Sequence, residues 1–507
     1  MTAASSASSS PGSSPSPSSP AALPPADLPP VPRNPRFDVL APVVPLEDLG
    51  RVHVLAAGGA GMSAVVRLLI DLVPSVPGLA VQGSDAKDSP LLRRLEDLGA
   101  RTWVGHDPTH LDGVDTVVVS SAIREDNPEL AAARDRGLRV LHRSQALAAT
   151  MRGRRRVAVA GANGKTTTSS MLTVALLEAG EDPSFALGGE LAAMGTNAAV
   201  GAGPAFVAEA DESDGSFLAY RPHVAVVTNV QADHLDFYGD LATVEAAYAE
   251  LAGTIEDGGL LITCADDDGA RRLADRARAA GLQVLSYGFA PDADRRLVDP
   301  VLDGTTAAAT MLAADGSRQR LEIVVPGRHN LLNATAAHLA ATAGLGLPGS
   351  AVRDGLQLFT GTRRRFETKG EERGVTVVDD YAHNPGKVEA VVRTAREIAG
   401  DRRLVVVFEP HLYSRTRDFA AELAAGLAPA DEVVLLPIYG AREDPVEGVG
   451  SELVAEPLRA AGTSAAVLDA SAAVERVAAL VERGDLVLTV GAGDVTELGP
   501  RLLEALR

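Results

Sequence analysis

The chain has 507 residues and a mean hydropathy of +0.07, which predicts a globular protein of about three domains, because one domain usually holds about 100 to 200 residues. Its formal net charge of −20 excludes a general nucleic-acid binder, and its apolar runs are shorter than the roughly 20 residues of a membrane helix, so we expect no membrane insertion. Cys264 is the only cysteine, which excludes internal disulfides and cysteine-based zinc clusters and fits the cytoplasmic location that we expect.

The first forty residues are mostly serine, proline and alanine, with neither the basic start nor the apolar stretch of a secretory signal. Such a segment cannot bury a core, so we expect residues 1–40 to form a disordered tail. Beyond it, short β-branched runs alternate with stretches rich in alanine and leucine, a pattern that is typical of parallel α/β sheets. We place the three domains at residues 41–151, 152–362 and 363–507.

The first domain opens with a predicted strand over residues 51–55 that leads into a glycine-rich turn. Ligands of open α/β sheets bind beyond the carboxyl ends of the strands, so the residues after each predicted strand are candidate ligand contacts. Here they are Gly58, Gly59, Ala60, Gly61, Met62, Ser63, Asp85, Ser120, Ser121, Ala122 and Arg143. Such a turn also occurs in nicotinamide dehydrogenases, an alternative that a failure to bind NAD would exclude.

The second domain opens with a predicted phosphate-binding loop. A strand over residues 156–160 leads into Gly161-Ala162-Asn163-Gly164-Lys165-Thr166-Thr167, and a helix follows. Glycines let backbone N–H groups approach phosphates, and the helix N-terminus adds partial positive charge. Lys165 can contact the terminal phosphates, and the Thr166 hydroxyl can coordinate Mg²⁺. The sequence therefore predicts a nucleotide site at this loop.

Acidic residues follow a second strand of this domain. Asp211, Glu212 and Asp214 come directly after an apolar run, where unpaired charge is costly, so a metal ion or a cationic partner is expected beside them. His234 follows the next strand along the chain and is a candidate for the same site, although such a histidine can equally be a hydrogen-bonded structural residue.

Taken together, these motifs resemble those of the Mur ligases, a family of ATP-dependent amide-forming ligases. The resemblance runs from about residue 51 to residue 507, and several ordered motifs are far more specific than one. They lie at residues 58–63, 120–123, 164–168, 209–214, 228–234, 327–334, 364–367 and 410–416.

The resemblance implies three α/β domains: a Rossmann-like N-terminal domain for a UDP-sugar, a central P-loop-type ATPase domain for ATP and Mg²⁺, and a Rossmann-like C-terminal domain for an amino acid. It further implies an enzyme of peptidoglycan precursor synthesis that joins L-alanine to UDP-N-acetylmuramate through an acyl phosphate, as a monomer or weak dimer. The implied catalytic residues are Lys165, Glu212, His234, His383 and Arg415. The implied ATP contacts are residues 161–167 with Asn330, Arg365 and Asp380, the metal ligands Thr166, Glu212 and His234, and the acceptor-side contacts Tyr381 and His411.

Two alternatives remain within this resemblance. The run from Asp380 to Pro385 is closer to sister ligases that add another amino acid or a peptide, whereas the closing motifs at residues 439–443 and 491–494 favour addition of alanine. Asn163, Gln231 and Asn384 replace residues that are usual in the family, which leaves a binding protein without catalysis as the second alternative.

Overall fold

The computed structural model describes residues 27–191, 194–441 and 443–507. Three sheets of mainly parallel strands follow one another along the chain, each covered by its own helices, which confirms the predicted α/β class. Within the described residues, no helix is both long enough and apolar enough to cross a membrane.

The first domain contains a five-stranded sheet in which every neighbouring pair of strands is parallel, in the order β3-β2-β1-β4-β5. Its elements are β1 (Arg51–Leu55), α1 (Ala60–Leu72), β2 (Ala80–Asp85), α2 (Pro90–Asp97), β3 (Arg101–Val104), β4 (Thr116–Val119), α3 (Pro128–Asp135), β5 (Arg139–His142) and α4 (Arg143–Thr150).

The middle domain contains a ten-stranded sheet in the order β15-β14-β13-β12-β11-β10-β6-β9-β7-β8. Its elements are β6 (Arg155–Ala160), α5 (Lys165–Glu178), β7 (Ser184–Leu191), β8 (Thr196–Ala199), β9 (Ala205–Glu209), β10 (Val224–Val227), α6 (Leu235–Tyr238), α7 (Leu241–Gly253), β11 (Leu260–Cys264), α8 (Asp268–Ala279), β12 (Gln283–Gly288), β13 (Arg295–Asp303), β14 (Thr306–Ala313), β15 (Arg318–Ile323), α9 (Arg328–Leu339) and α10 (Gly349–Gln357). The antiparallel strands β13 to β15 form consecutive hairpins at one edge of this sheet.

The third domain contains a six-stranded sheet in the order β16-β17-β21-β18-β19-β20, parallel except for the edge strand β16. Its elements are β16 (Glu367–Glu372), β17 (Val375–Asp380), α11 (Pro385–Ala399), β18 (Leu404–Phe408), α12 (Tyr413–Asp418), α13 (Ala420–Leu427), β19 (Glu432–Leu435), α14 (Glu452–Ala460), β20 (Ser464–Val467), α15 (Ala470–Leu480), β21 (Leu486–Val490) and α16 (Leu498–Ala505).

The central strands are nearly continuous runs of valine, alanine and leucine because helices cover both faces of each sheet. Strands β10, β18 and β21 are buried along their whole length. Because β6 is a parallel neighbour of both β9 and β10, the loops after these three strands leave the middle sheet at the same edge.

The segment before β1 corrects part of the expected disordered tail. Residues 1–26 lie outside the described residues, but residues 27–40 pack against the first and middle domains. The buried ring of Phe37 lies 5.1 Å from the His142 ring, and the Asn34 side chain donates a hydrogen bond to the Ser121 hydroxyl at 3.3 Å. A few apolar residues among the prolines are enough to dock the segment, so the prediction of disorder through residue 40 is wrong for residues 27–40.

A buried polar cluster ties the first domain together around Glu129. Its carboxylate, fully buried on α3, accepts a hydrogen bond from the Ser84 hydroxyl at 2.5 Å and lies 2.9 Å from His106 Nδ1 and 2.7 Å from His110 Nδ1. The Nε2 atom of His53 is 3.4 Å away. Burial raises the pKa of Glu129, but the bonds from His53 and Ser84 outweigh it and bring the pKa down to about 2.

We expect Glu129→Gln to lower the free energy of unfolding of the first domain by about 2 kcal/mol at pH 7, since a charged hydrogen-bond acceptor is lost. Because the folded-state pKa of Glu129 lies below its ordinary value of 4.5, its stabilisation is complete above that pH and is lost as the pH falls toward 2. Urea unfolding at several pH values measures this free energy. It can be followed by the fluorescence of Trp103, the only tryptophan, because Trp103 stacks on His110 at 4.4 Å.

The matched control is Glu96→Gln, which neutralises an exposed carboxylate on α2 and is expected to leave the unfolding curve unchanged. Equal stability of the Glu129→Gln variant and the wild type at pH 7, or a difference that stays constant down to pH 3, would contradict the role of this cluster.

Candidate active site

The loop between β6 and α5 has a conformation that requires glycine at both ends. Gly161 has φ +129° and Gly164 has φ +85°, which side chains with a Cβ rarely adopt. A Cβ at Gly164 would lie 2.6 Å from Asn333 Oδ1, and one at Gly161 would overlap the Thr228 hydroxyl. The Asn163 N–H donates to Asn229 Oδ1 at 2.9 Å. Close approach of neighbouring residues therefore shapes the loop at the N-terminus of α5.

Lys165, the first residue of α5, turns back over this loop. Its ammonium donates to the Gly161 carbonyl at 2.6 Å and to Glu212 Oε1 at 2.8 Å. Burial alone would lower the pKa of Lys165, but Glu212, Glu209 and Asp211 outweigh it, so the pKa is raised and the side chain is charged. The structure thus brings together two residues that the sequence predicts for one site.

Glu212 also offers an oxygen that its protein surroundings do not satisfy. Its Oε2 atom is buried and, within the described residues, has no hydrogen-bond partner, which is costly for a carboxylate. The Nε2 atom of His234 lies 3.8 Å from Glu212 Oε1, and the Thr166 side chain is buried beside the loop. No cluster of three histidine, cysteine or acidic side chains suited to a metal ion occurs among the described residues. Glu212 and Thr166 therefore suit a cation such as Mg²⁺ that takes its remaining ligands from phosphates and water.

The first domain reaches the acidic loop of the middle domain through two contacts. Arg143, at the start of α4, forms an ion pair with Asp211, and the Ser121 hydroxyl donates a hydrogen bond to Asp214. Burial would raise the pKa of Asp211, but Arg143 and Lys165 hold it well below its usual range. Asp211 and Asp214 are therefore held by partners from the first domain.

The third domain contacts the other side of the same loops. An Nη2 atom of Arg365 donates to the Thr166 hydroxyl at 3.2 Å. Arg415 forms an ion pair with Asp233 at 3.1 Å, and the Asn384 amide donates to the other oxygen of Asp233 at 2.9 Å. Three residues of the third domain thus lie at the carboxyl edge of the middle sheet.

Rings of the third domain line this junction. The guanidinium of Arg365 lies over the Tyr381 ring at 5.2 Å, the rings of His383 and His411 are 5.4 Å apart, and His411 stacks on Tyr439 at 6.0 Å. Burial, together with the nearby positive charges, lowers the pKa of His383 well below its usual value, so its imidazole is neutral.

A cavity of about 640 Å³ opens between the middle and third domains. Gly164 and Thr167 line one end of it. Asn330, also on its wall, donates to the Pro326 carbonyl at 2.6 Å and accepts from the Asn333 amide at 3.1 Å. Burial raises the pKa of Asp380, another lining residue, despite the nearby Arg365. Six predicted nucleotide contacts from three separate sequence segments therefore line one cavity, whereas four others are not among its lining residues. The six are Asn163, Gly164, Thr167, Asn330, Arg365 and Asp380, and the four are Gly161, Ala162, Lys165 and Thr166.

The remaining predicted contacts lie around the start of α1. The Gly58 N–H donates to Asp85 Oδ2 at 2.9 Å, and a Cβ at Gly61 would lie 2.8 Å from an Nη1 atom of Arg143. The others are backbone or small side chains near the ends of β1 and β4, namely Gly59, Met62, Ser63, Ser120 and Ala122. The side chain of Ala60, and Arg442 of the closing motif, lie outside the described residues.

Sequence profiles of three domains match successive parts of the chain. The Mur ligase family catalytic domain matches residues 51–155, the Mur ligase middle domain residues 159–341, and the Mur ligase glutamate ligase domain residues 364–493. The chain belongs to the Mur ligase family. Membership confirms the predicted three-domain architecture and excludes the dehydrogenase alternative.

Similar Mur ligases include the UDP-N-acetylmuramate–L-alanine ligases of Kineococcus radiotolerans, 56% identical over 90% of this chain and 96% of that protein, and of Thermobifida fusca, 50% identical over 91% and 98%. Among solved structures, the UDP-N-acetylmuramate-alanine ligase MurC of Thermotoga maritima has a TM-score of 0.74 at 27% identity, covering 90% of this chain and 98% of that one. A murein peptide ligase of Psychrobacter arcticus has a TM-score of 0.68 at 25% identity, over 90% and 98% of the two chains.

Three residues of the Mur ligase site have no role in the sequence analysis, although the motifs contain two of them. Asp233 immediately precedes His234 and accepts hydrogen bonds from Arg415 and Asn384. Lys387 lies two residues after the motif that ends at Pro385 and lines the cavity. Asn333 approaches Gly164 from α9. Position within or next to a motif was the available signal for all three residues, but only the packing of α9 shows that Asn333 approaches Gly164.

We expect Gly164→Ala to weaken ATP binding by about ten-fold or more, because the new Cβ combines a disfavoured positive φ with the contact to Asn333. Calorimetric titration with Mg²⁺ and ATP measures the dissociation constant.

Gly180→Ala is the matched control, since Gly180 follows the other end of α5 at φ +81° with no atom within 4 Å of an added Cβ. It carries the same backbone strain, about 1–2 kcal/mol, without the clash. Equal ATP affinities of the two variants would show that packing around Gly164 does not shape the nucleotide loop.

Proposed function

We propose that this Mur ligase joins L-alanine to the carboxylate of UDP-N-acetylmuramate, with release of ADP and phosphate, in peptidoglycan precursor synthesis in the cytoplasm. The observation that carries the proposal is that all three domains contact the loops at one edge of the middle sheet. Lys165 binds Glu212 there, and Arg143 of the first domain and Arg415 of the third domain form ion pairs with the neighbouring acidic residues. The names of relatives at 50% identity or more support the substrates.

Amide formation from a carboxylate and an ammonium is unfavourable in water, so the carboxylate must first be activated. Transfer of the γ-phosphoryl group of ATP to the muramate carboxylate makes an acyl phosphate, and the amine then attacks its carbonyl carbon and expels phosphate. Such chemistry needs positioning and charge neutralisation rather than a protein nucleophile. Arg365, which lines the cavity beside Thr166, and Lys165, at the start of α5 next to the lining residue Gly164, supply positive charge for the phosphates.

Glu212 and Thr166 would hold Mg²⁺, with His234 beside them, since Glu212 has the buried unsatisfied oxygen and Thr166 a buried hydroxyl. When bound, the ion would neutralise charge on the phosphates. Because Glu212 also accepts a hydrogen bond from Lys165, the carboxylate holds the lysine beside the expected Mg²⁺ position.

The third domain would receive the amino acid beside His383, His411 and Tyr381. His383 Nδ1 lies 2.8 Å from the Tyr381 carbonyl, which can only accept a hydrogen bond, so Nδ1 carries the proton and Nε2 keeps its lone pair. A neutral imidazole of this kind can take a proton from the incoming ammonium. Arg415, held by Asp233, offers a positive charge for the carboxylate of the amino acid or for the acyl phosphate.

We expect phosphate release to require UDP-N-acetylmuramate, ATP, Mg²⁺ and L-alanine together, and Lys165→Ala to reduce it by about 100-fold or more, because one preorganised charge at the phosphates is lost. A continuous phosphate assay, with each substrate omitted in turn, measures both. Activity with glycine, L-serine or a tripeptide in place of alanine would instead support a sister ligase.

Arg320→Ala is the control variant, since Arg320 is an exposed cation on the edge strand β15 of the same domain. It is expected to keep wild-type activity. Unchanged phosphate release by Lys165→Ala would rule out the catalytic role of that lysine, and absence of release in the wild type would support a binding protein without catalysis.

A further inference from the structure

Lys387 is a cation of the third domain that lines the cavity and has no role in the mechanism given so far. It lies in the first turn of α11, where Asn384 caps the helix by accepting a hydrogen bond from the Lys387 N–H at 2.9 Å. The backbone of its neighbour Gly386 is so close to the nucleotide loop that an added Cβ would lie 3.2 Å from Asn163 Nδ2. The first turn of α11 therefore stands directly over the loop.

The carboxylates nearest to Lys387 are engaged by other groups. Asp233 accepts from Arg415 and Asn384, and Glu212 binds Lys165. Within the described residues, the Lys387 ammonium forms no hydrogen bond or ion pair of its own. A cation left without a partner in a cavity is costly unless a ligand supplies the opposite charge.

The surroundings of Lys387 indicate which charge that ligand carries. Burial, followed by repulsion from Lys165, lowers the pKa of Lys387 to about 8, although Asp233 acts in the opposite direction, and Arg365 adds further repulsion. Cations from two domains thus lie close to one another, near the N-termini of α5 and α11. Such an arrangement favours a polyanion, because each phosphate oxygen can accept from several donors at once.

We propose that Lys387 closes the phosphate site from the third domain by binding the β- and γ-phosphates of ATP opposite Lys165. We expect the adenine at Asn330, an implied ATP contact that also lines the cavity, and therefore assign Lys387 to the terminal phosphates. It is a substrate-binding residue that acts only when the third domain lies over the loop. The inference rests on the proposed function, since it takes ATP as the ligand.

The test compares two nucleotides that differ in their terminal phosphates. Dissociation constants are measured by calorimetry for AMP and for the β,γ-imido analogue of ATP, which cannot transfer its γ-phosphoryl group, with Mg²⁺ and UDP-N-acetylmuramate present throughout. We expect Lys387→Met to weaken binding of the analogue by about 10- to 100-fold, the equivalent of a lost charge-assisted hydrogen bond. The dissociation constant for AMP should stay unchanged. Lys387→Arg, which keeps the charge, should retain most of the affinity for the analogue.

The control is Arg393→Ala, which removes one positive charge from the exposed face of the same helix and should change neither constant. If Lys387→Met does not fold, as judged by circular dichroism, Lys387→Gln repeats the removal of charge. Equal weakening of AMP and the analogue, or unchanged binding of both, would overturn the inference. Failure of the proposed function has a different readout, the absence of L-alanine-dependent phosphate release by the wild type, so the two results are distinguishable.

Discussion

Lys165 and Glu212 meet at 2.8 Å because β6 and β9 are parallel neighbours, so the loops after both strands leave the sheet at the same edge. The raised pKa of Lys165 depends on this neighbour and on the acidic residues around it. Without the carboxylates, burial would favour the neutral amine, and the loop would lack the charge that phosphates require. Every other part of the site is arranged around this pair.

The acidic edge of the middle domain is neutralised from both sides by its neighbours. Arg143 of the first domain pairs with Asp211, and Arg415 of the third domain pairs with Asp233. Buried carboxylates are tolerated only with such partners, so the site is complete only when the three domains are together. The same contacts couple the position of each outer domain to the charge on the central one, which is the arrangement that a reaction with three substrates requires.

The departures of this chain from the usual motifs of the family are connected in space. The Asn163 amide donates to Gln231 Oε1 at 3.0 Å, and the Asn384 amide donates to Asn163 Oδ1 at 3.3 Å. One chain of hydrogen bonds therefore joins all three side chains across the domain junction. They leave the Lys165–Glu212 pair intact and contribute to the contact between domains, so their change as a group is compatible with catalysis.

The sequence by itself determined the α/β class, the loop before α5 and the acidic run after β9, since these depend on strand periodicity, glycine positions and the cost of charge beside an apolar strand. It did not determine that residues 27–40 pack against the folded domains, that three histidines contact Glu129, or that Lys387 lies near the nucleotide loop. Those features depend on which strands are neighbours and how the domains meet, and such contacts join residues far apart in the chain that carry no local pattern. Only the tertiary structure decided them.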